Sequence, residues 1–321
     1  MNDASISRDA VNAVFAATRS LPAVQSRSRD IMGGSGTITL VGGSEHLLDK
    51  LWNSADELEN LWSRFSPDSD ISRVNWAEGE PVAVHPKTVQ LINAMREGYD
   101  LTGGAFDPTL LPDVLATGYS TSQVDPSRVT TLPASATSPG RLRDIVIAEN
   151  MVTPPRGTTL DAGGIGKGLA SDILAQEALG LGVAGVMVEL GGDICVAGSA
   201  PDGHSWHLGI ENPWDTEQHL QIVSLLRGGI VTSSQVKRRF GSGNNSSHHL
   251  IDPVTHRSAL TEVQTVTVIA ATAARAEVLT KRGFIGDSAE YLSWLPTVGA
   301  AGFLVLADST TMETTNWGDY R

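Results

Sequence analysis

The fold of this chain is decided by the stretch Leu160-Asp161-Ala162-Gly163-Gly164-Ile165-Gly166-Lys167-Gly168. Four glycines fall within six residues here, between a strand-like segment and a helix-like one. Backbone N–H groups in such a turn can approach an anion, the N-terminus of the following helix adds positive potential, and Lys167 adds a formal charge. The same pattern is compatible with a tight strand-to-helix turn that binds no ligand.

Two common nucleotide-binding motifs are excluded by the spacing in this turn. A P-loop needs a glycine five positions before Gly166, where Asp161 stands, and Ser or Thr after the lysine, where Gly168 stands. The dinucleotide fingerprint needs GxGxxG, whereas the last three glycines of the turn are spaced GxGxG. The sequence has no CxxC, HExxH or GxSxG motif, so standard zinc sites and the nucleophile elbow have no support.

Hydrophobic periodicity around this turn predicts strands and helices that mix without strict βαβ alternation. That order favours an α+β (α/β mixed) fold, with mixed sheets and helices packed on them, over a doubly wound sheet. Helices are predicted over residues 45–65, 88–102, 167–179 and 273–284, and strands over residues 31–43, 143–152, 183–189, 206–211, 221–232, 248–251, 264–270 and 300–307.

The length and composition predict one large domain with a tail. With 321 residues and 40% hydrophobic content, the chain can bury a substantial core. Residues 1–25 are weakly patterned and are predicted to form an N-terminal tail, which leaves residues 26–321 as a single domain. Ser, Thr and Pro dominate residues 120–140, which are predicted to be a surface insertion.

The charge and the cysteine count limit the partners and the compartment. A formal charge of −13 repels phosphate backbones, and Lys237-Arg238-Arg239 is the only basic triplet, so no nucleic acid is expected as a partner. The single cysteine, Cys195, excludes an intrachain disulfide and fits a reducing compartment. A signal-peptide pattern is lacking and no stretch approaches about 20 apolar residues, which predicts a cytoplasmic protein without membrane insertion.

Three further motifs allow a functional and a structural interpretation. Asp107 precedes a proline and can be a helix N-cap or a site residue. His249 leads into an Asp-Pro turn and can be a proton acceptor or part of an ordinary strand end. Glu277 and Lys281 are four residues apart, which predicts at least an ion pair on one helix face.

Taken in order along the chain, five blocks resemble the FAD:protein FMN transferase family, also called the ApbE family. The likeness runs from about Gly33 to Leu306. The blocks that carry it are residues 64–75 (RFSPDSDISRVN), 104–109 (GAFDPT), 160–168 (LDAGGIGKG), 189–194 (ELGGDI) and 249–253 (HLIDP). Because the sequence has no lipobox cysteine, it is more similar to the leaderless, cytoplasmic members.

The resemblance implies a two-lobed fold with FAD in a cleft between the lobes. It also implies that a Ser or Thr hydroxyl of a target protein, of the FMN-binding domain type, attacks the FAD pyrophosphate. FMN then becomes attached through a phosphoester and AMP leaves, and family members use magnesium. Two alternatives stay open: an FAD pyrophosphatase that gives FMN and AMP with water as nucleophile, and a non-catalytic FAD-binding or delivery protein.

Carried over residue by residue, the resemblance implies a set of site residues. His249 is the expected proton acceptor, and Asp252 is expected to shape the catalytic site with it. Gly166 and Glu277 are the expected metal-binding residues. The residues expected to bind the flavin nucleotide are Met32, Gly33, Phe106, Asp107, Asp161, Gly163, Gly164, Ile165, Gly166, Lys167, Gly191, Gly192, Asp193, Ser234 and His249.

The late helix departs from the metal-binding pattern of the family. Where the family usually has an Asp and a Thr four residues apart, this chain has Glu277 and Lys281. A glutamate can bind magnesium, whereas the ammonium group of a lysine has no lone pair to donate. Either Lys281 replaces part of the cation's charge, or metal binding is weakened or lost. Two smaller departures are Gly34 in place of Thr and Glu189 in place of Asn.

Overall fold

The computed structural model describes residues 22–122, 124–235, 239–240, 247–248 and 250–321. Helices and strands mix along this part of the chain, which confirms the α+β class. The helices are α1 (Glu45–Trp62), α2 (Asp70–Asn75), α3 (Pro86–Leu101), α4 (Leu111–Ala116), α5 (Gly166–Gly180), α6 (Ala273–Arg282) and α7 (Ser288–Trp294), with 3₁₀ turns at Leu142–Asp144, Ala162–Gly164, Leu295–Val298 and Trp317–Tyr320. The strands are β1 (Val24–Ile31), β2 (Gly34–Val41), β3 (Val82–Ala83), β4 (Val146–Ala148), β5 (Met151–Thr153), β6 (Gly185–Leu190), β7 (Asp193–Gly198), β8 (Trp206–Asn212), β9 (Asp215–Leu225), β10 (Gly228–Ser234), β11 (Arg239–Phe240), β12 (Ser247–His248), β13 (Ile251–Asp252), β14 (Arg257–Ser258), β15 (Val263–Ala270), β16 (Ala301–Leu306) and β17 (Thr311–Glu313).

An eight-stranded sheet forms the centre of the fold, with strand order β1-β2-β6-β7-β10-β15-β16-β17. Each neighbouring pair in it runs antiparallel. Tight turns at Met32-Gly33 and Gly191-Gly192 join β1 to β2 and β6 to β7, and all four turn residues have positive φ. The Gly191 N–H donates to the Ser35 carbonyl at 2.8 Å, so both turns lie side by side at one end of the sheet.

The two faces of this sheet carry different partners. Helices α1, α5 and α6 cover one face, where Val266 and Val268 of β15 join the larger hydrophobic core. The hairpin of β8 and β9 covers the other face, where Ile269 and Phe303 pack with Trp317. Because side chains alternate between the faces along a strand, β15 contributes to both cores.

Two predicted strands are wrong in extent because the chain reverses inside them. Over residues 143–152 a 3₁₀ turn and the two short strands β4 and β5 form, since Glu149 adopts a φ of 53° and lets the chain fold back. Residues 221–232 divide into β9 and β10, and Gly228, with a φ of 118°, begins the second strand. The strand predicted over residues 31–43 is β2, which begins only after the Met32-Gly33 turn.

The segment predicted to be a surface insertion is tied to the end of α1. Its base is held by Arg64, which donates to the Tyr119 carbonyl at 2.9 Å and to the Thr130 hydroxyl at 2.8 Å. Between these anchors, Thr121 and Val129 form an isolated antiparallel bridge. In the described part of the chain, no helix has the length and apolar character needed to cross a membrane.

Candidate active site

The glycine-rich stretch forms a 3₁₀ turn at Ala162–Gly164 and then begins α5 at Gly166. The Asp161 carboxylate caps the turn by accepting a hydrogen bond from one of its backbone N–H groups at 3.0 Å. The strand-like segment before the turn is held by Asn75, whose side-chain amide donates to the Leu160 carbonyl at 2.9 Å and accepts from the Leu160 N–H at 2.6 Å. A buried amide therefore fixes the start of the turn where a partner strand would otherwise do so.

Two glycines of the turn are required by packing rather than by a ligand. A Cβ at Gly164 would lie 2.9 Å from Cε2 of Phe106. A Cβ at Gly168 would lie 2.6 Å from the carbonyl oxygen of Ala273, at the start of α6. These glycines let the 3₁₀ turn approach Phe106, and α5 approach α6, more closely than a side chain would permit.

A cavity of about 530 Å³ opens beside this turn. Volumes of roughly 300–1,000 Å³ are typical of small-molecule sites. The cavity walls come from the β1–β2 turn, the C-terminal end of α1, the glycine turn and residues 119–128. Of the predicted flavin-binding residues, those that line it are Met32, Gly33, Asp161, Gly163, Gly166 and Lys167.

One wall of this larger cavity is aromatic and cationic. The Arg64 guanidinium lies 4.2 Å from the ring centre of Phe65 and 4.7 Å from that of Tyr119. The two rings are 5.9 Å apart, and Arg64 Nε lies 3.5 Å from Asp161 Oδ1. Flat rings stacked with a guanidinium favour contact with another planar group.

A smaller cavity of about 90 Å³ adjoins the larger one and shares Asp161 and Gly163 with it. It is lined by the remaining part of the turn and by the GAFDPT block, and its far wall includes residues 250–251. The predicted site residues that line it are Phe106, Asp107, Asp161, Gly163 and Gly164.

Asp107 is largely buried at the edge of the smaller cavity. Its Oδ1 accepts from the Thr109 N–H at 2.8 Å and from the Thr109 hydroxyl at 2.6 Å. Burial raises the pKa of the Asp107 carboxyl, and the two hydrogen bonds from Thr109 act in the opposite direction. Asp107 thus caps the turn after Phe106, as an N-cap residue would, and also faces the cavity.

Lys167 connects the glycine turn to two buried carboxylates. Its ammonium group pairs with Asp193 and lies 3.4 Å from Glu277 Oε1. The other carboxylate oxygen of Glu277 accepts from the Gly168 N–H at 2.8 Å. Burial raises the pKa of Asp193, the nearby Glu277 adds to that rise, and the attraction of Lys167 opposes it.

Lys281 lies one helical turn after Glu277 and also borders the smaller cavity. Its ammonium group donates to the Ser233 hydroxyl at 2.9 Å and lies 3.3 Å from the Thr280 hydroxyl. Ser233 and Thr280 are in turn joined by a hydrogen bond of 2.7 Å between their hydroxyl groups. The two lysines therefore approach the glycine turn from α5 and from α6.

The residues of the Gly191-Gly192 turn support Lys167 from the sheet. A Cβ at Gly191 would lie 3.3 Å from Cδ of Lys167, so this glycine leaves room for the lysine side chain. The Gly192 N–H donates to the Glu189 carboxylate at 2.9 Å. Asp193 follows directly and pairs with the ammonium group.

Seven of the described predicted site residues lie outside both cavity linings: Gly191, Gly192, Asp193 and Glu277, which surround or support Lys167, and Ile165, Ser234 and Asp252. Ile165 is buried in the larger hydrophobic core, and Ser234 pairs with Thr265 in the sheet. The carboxylate of Asp252 accepts from the Val254 N–H at 2.8 Å and from the Thr255 hydroxyl at 3.1 Å, which closes the β13–β14 turn. His249, Lys237 and Arg238 lie outside the described residues.

The sequence analysis missed Arg64, Phe65, Tyr119 and Asn75. Arg64 and Phe65 open the RFSPDSDISRVN block and Asn75 ends it, so the block itself was the available signal. Tyr119 had none, because it is brought to Arg64 only by the return of the chain across a separation of 55 residues.

The fold and the site together define a class: an α+β protein in which a lysine-bearing glycine turn separates two adjoining cavities beside a buried cluster of charges. A protein-family model described as the ApbE family matches residues 32–303, and the chain belongs to that family.

Relatives and solved structures agree with this assignment. The chain is similar to the FAD:protein FMN transferase of Vibrio cholerae, with 28% identity over 235 residues that cover 71% of this chain and 70% of that protein. It is similar in structure to the ApbE protein of Thermotoga maritima, with a TM-score of 0.80 and 23% identity over 93% of this chain and 99% of that one. The flavinyl transferase ApbE of Pseudomonas stutzeri, in its apo form, gives a TM-score of 0.78 and 24% identity over 94% of this chain and 98% of that one. At these identities the likeness to the solved structures shows the fold.

Proposed function

We propose that this chain is an FAD:protein FMN transferase. It binds FAD, attaches FMN through a phosphoester to a Ser or Thr hydroxyl of a target flavoprotein, and releases AMP. The observation that carries this proposal is the Lys167-bearing glycine turn, which lines a cavity of about 530 Å³ together with an aromatic wall. Membership of the ApbE family and the likeness to a curated transferase support the same activity.

The larger cavity has the chemistry that a flavin dinucleotide requires. Phe65 and Tyr119 offer flat faces against which a planar isoalloxazine ring can stack. Arg64, Arg128 and Lys167 line the same cavity, although the chain as a whole carries a formal charge of −13. Positive charge gathered at one concave site attracts a diphosphate and holds it against the backbone N–H groups of the turn.

The proposed reaction is an in-line displacement at the FMN-side phosphorus. The acceptor hydroxyl oxygen forms a bond to that phosphorus, the bond to the bridging oxygen breaks, and AMP leaves with the electron pair. The hydroxyl proton passes to a base. Catalysis then depends on holding the acceptor in line and on offsetting charge that develops on the phosphoryl oxygens, which is the work proposed for Lys167 and the turn.

His249 remains the predicted proton acceptor and lies outside the described residues. Its described neighbours Leu250 and Ile251 line the smaller cavity. Since both carboxylate oxygens of Asp252 hold the β13–β14 turn, we propose that Asp252 acts by shaping the hairpin that follows His249 rather than by moving a proton.

The acceptor and the compartment are finer parts of the same proposal. A target of the FMN-binding domain type follows from the family resemblance, and the proposed cytoplasmic location is supported by the single cysteine, which fits a reducing compartment.

The test is to incubate the protein with FAD and magnesium, with and without an FMN-binding-domain protein, and to measure AMP and the mass of the acceptor protein. We expect AMP and a mass gain of one FMN group when the acceptor is present. AMP formed equally without an acceptor would identify an FAD pyrophosphatase, and a yellow protein that makes no AMP would identify a delivery protein.

Two controls sharpen this test. An acceptor with its target Ser or Thr changed to Ala is expected to gain no mass. His249→Ala is expected to abolish AMP release, whereas Lys50→Met, at an exposed position of α1, is expected to leave it unchanged. Unchanged AMP release in His249→Ala would remove this residue from the reaction.

A further inference from the structure

Building on the flavin transfer proposed above, we propose that Lys281 and Lys167 form a fixed cationic pair that takes the place of a divalent metal ion in this chain. Flavin transfer by this protein would then proceed without magnesium.

The residues available here do not fit a magnesium ion. Magnesium demands near-octahedral oxygen ligands at about 2.0–2.1 Å. In the described part of the chain, no group of three or more His, Cys, Asp or Glu side chains is placed to hold a metal ion. The predicted metal-binding carboxylate of Glu277 uses one oxygen on the Gly168 N–H and has the other 3.4 Å from the Lys167 ammonium.

The second carboxylate of the cluster is also engaged. Asp193 is 2% exposed, and its carboxylate pairs directly with Lys167. A metal ion between Asp193 and Glu277 would have to occupy the position of that ammonium group. Buried carboxylates need a counter-charge, and in this chain the counter-charge is part of α5.

Lys281 occupies the position where the resemblance leads us to expect a hydroxyl ligand. An ammonium group donates hydrogen bonds and has no lone pair, so it cannot bind a cation. The neighbouring Thr280 does not replace the missing ligand, because it is fully buried, donates to the Glu277 carbonyl at 2.6 Å and is hydrogen-bonded to Ser233. At this position of α6, the chain therefore has a positively charged side chain where a metal ligand is expected.

The position of Lys281 suits contact with the proposed ligand. A Cβ at Gly164 would lie 3.3 Å from Cε of Lys281, so the lysine stem runs directly behind the glycine turn. Lys281 and Gly164 both line the smaller cavity, and Gly163 lines both cavities. The ammonium groups of Lys167 and Lys281 both lie near the buried Asp193, and Lys167 also lies near Glu277, so positive charge is present where a divalent cation would otherwise be needed. An ammonium group that belongs to the protein is present at the moment of reaction and need not be bound from solution.

The first experiment compares flavin transfer by metal-stripped protein in excess EDTA with transfer in magnesium. We expect the two rates to agree within about twofold. A loss of more than tenfold in EDTA that magnesium restores would overturn the inference. Absence of transfer in both conditions would instead count against the proposed function, and the binding measurement described next would still decide the metal question.

The second experiment measures equilibrium binding of Mn²⁺ by electron paramagnetic resonance, with FAD present and with FAD alone as the blank. We expect no stoichiometric site on the wild-type protein at millimolar Mn²⁺, and one on the double variant Lys167→Ala/Lys281→Thr, which removes the ammonium group from Asp193 and Glu277 and restores an oxygen ligand one turn after Glu277. A stoichiometric Mn²⁺ site on the wild type, or no gain in a double variant that is folded and binds FAD, would contradict the inference.

Charge variants complete the test. Lys281→Met keeps the length of the side chain and removes its charge, so transfer in EDTA should fall at least tenfold, whereas Lys281→Arg should keep transfer resistant to EDTA. Lys50→Met is the matched loss of an exposed lysine and should change neither measurement. Full transfer by Lys281→Met in EDTA, with unchanged thermal unfolding, would show that Lys281 supplies no charge to the reaction.

Discussion

The two faces of the main sheet bury similar kinds of apolar side chain but differ in what else they bury. On the face covered by α1, α5 and α6 lie the carboxylates Asp193 and Glu277, each less than 3% exposed. On the face covered by the β8–β9 hairpin, the polar contacts join neutral groups, such as the Thr232 and Thr267 hydroxyls at 2.8 Å. Burying charge therefore costs free energy on the face covered by α1, α5 and α6 (the helix-covered face). The face covered by the β8–β9 hairpin (the ribbon-covered face) has no such cost.

This difference separates the residues that hold the fold together from those that make the site. Burying charge is unfavourable unless partners are well placed, and a ligand that carries phosphate is one reason to retain such a cluster. The ribbon-covered face has no such requirement, since Phe303 and Trp317 stack there with ring centres 5.5 Å apart and contribute packing. Substitutions on the two faces should accordingly affect different measurements.

Glu277→Ala is expected to have the largest effect. It leaves the Gly168 N–H without its acceptor and removes one of two buried partners of Lys167. Removing one partner of a buried pair costs about 3–5 kcal/mol, so the free energy of unfolding should fall by that amount and FAD binding should weaken with it. Glu277→Gln, which keeps an acceptor for Gly168, should lose less. Denaturant titration and flavin fluorescence check both, and a loss below about 1 kcal/mol in Glu277→Ala would contradict the comparison.

Phe303→Ala tests the ribbon-covered face. Removing a fully buried phenylalanine side chain leaves a cavity, and the free energy of unfolding should fall by about 3 kcal/mol. FAD affinity at a temperature where the variant is folded should match the wild type. A clear loss of FAD affinity in the folded variant would mean that the two faces are coupled more tightly than their contacts indicate.

Gly168→Ala tests the close approach of α5 to α6. The added methyl would lie 2.6 Å from the Ala273 carbonyl oxygen, and overpacking of this kind costs about 1–3 kcal/mol. Gly180→Ala, at the end of the same helix and with no atom near its Cβ, is the control and should be neutral or stabilising by up to about 1 kcal/mol. Equal stability of the two variants in thermal or denaturant unfolding would remove packing as the reason for Gly168.

Asp107→Asn should have the smallest effect, visible as a change in pH dependence. Because burial raises the pKa of Asp107 above its ordinary value of 3.8, the folded protein holds this proton more tightly than the unfolded chain. The stability that this gives is fully present below the ordinary pKa and is lost as the pH rises through the higher folded pKa. The free energy of unfolding of the wild type, minus that of Asp107→Asn, should therefore decrease as the pH rises from 3 towards neutrality. A difference that is flat or increases with pH would contradict the raised pKa.

Many helices and strands could be predicted because each is encoded by a hydrophobic pattern within its own segment. The apolar spacing of α1 and the β-branched run of β15 each gave the correct element. β1 was missed, since its alternation is of Ser and Arg rather than of apolar residues, as suits a strand at the edge of a sheet. An edge strand that is mostly solvated on both faces leaves little hydrophobic signal in the sequence.

The parts of the candidate site that lie within one continuous segment could be predicted from the sequence. The parts formed by contacts between distant segments could not. The turn at 160–168 was recognised from its glycines and its lysine, Asp193 lies in a block of the family resemblance, and Glu277 was identified from its place in the late helix. The stacking of Arg64 between Phe65 and Tyr119 could not be predicted, because no local rule relates residues 64 and 119. It depends on the path of the chain between them, which only the assembled fold determines.

The Arg64 anchor at the base of residues 119–130 divides the molecule into parts that can change at different rates. Its hydrogen bonds to Tyr119 and Thr130 and its contact with the Tyr119 ring fasten both ends of that loop to the scaffold. Insertions and deletions between the anchors would remodel the wall that residues 119–128 give the larger cavity, while the glycine turn keeps its geometry. Sequence changes in this loop can therefore alter which target proteins fit beside the cavity without altering the glycine turn.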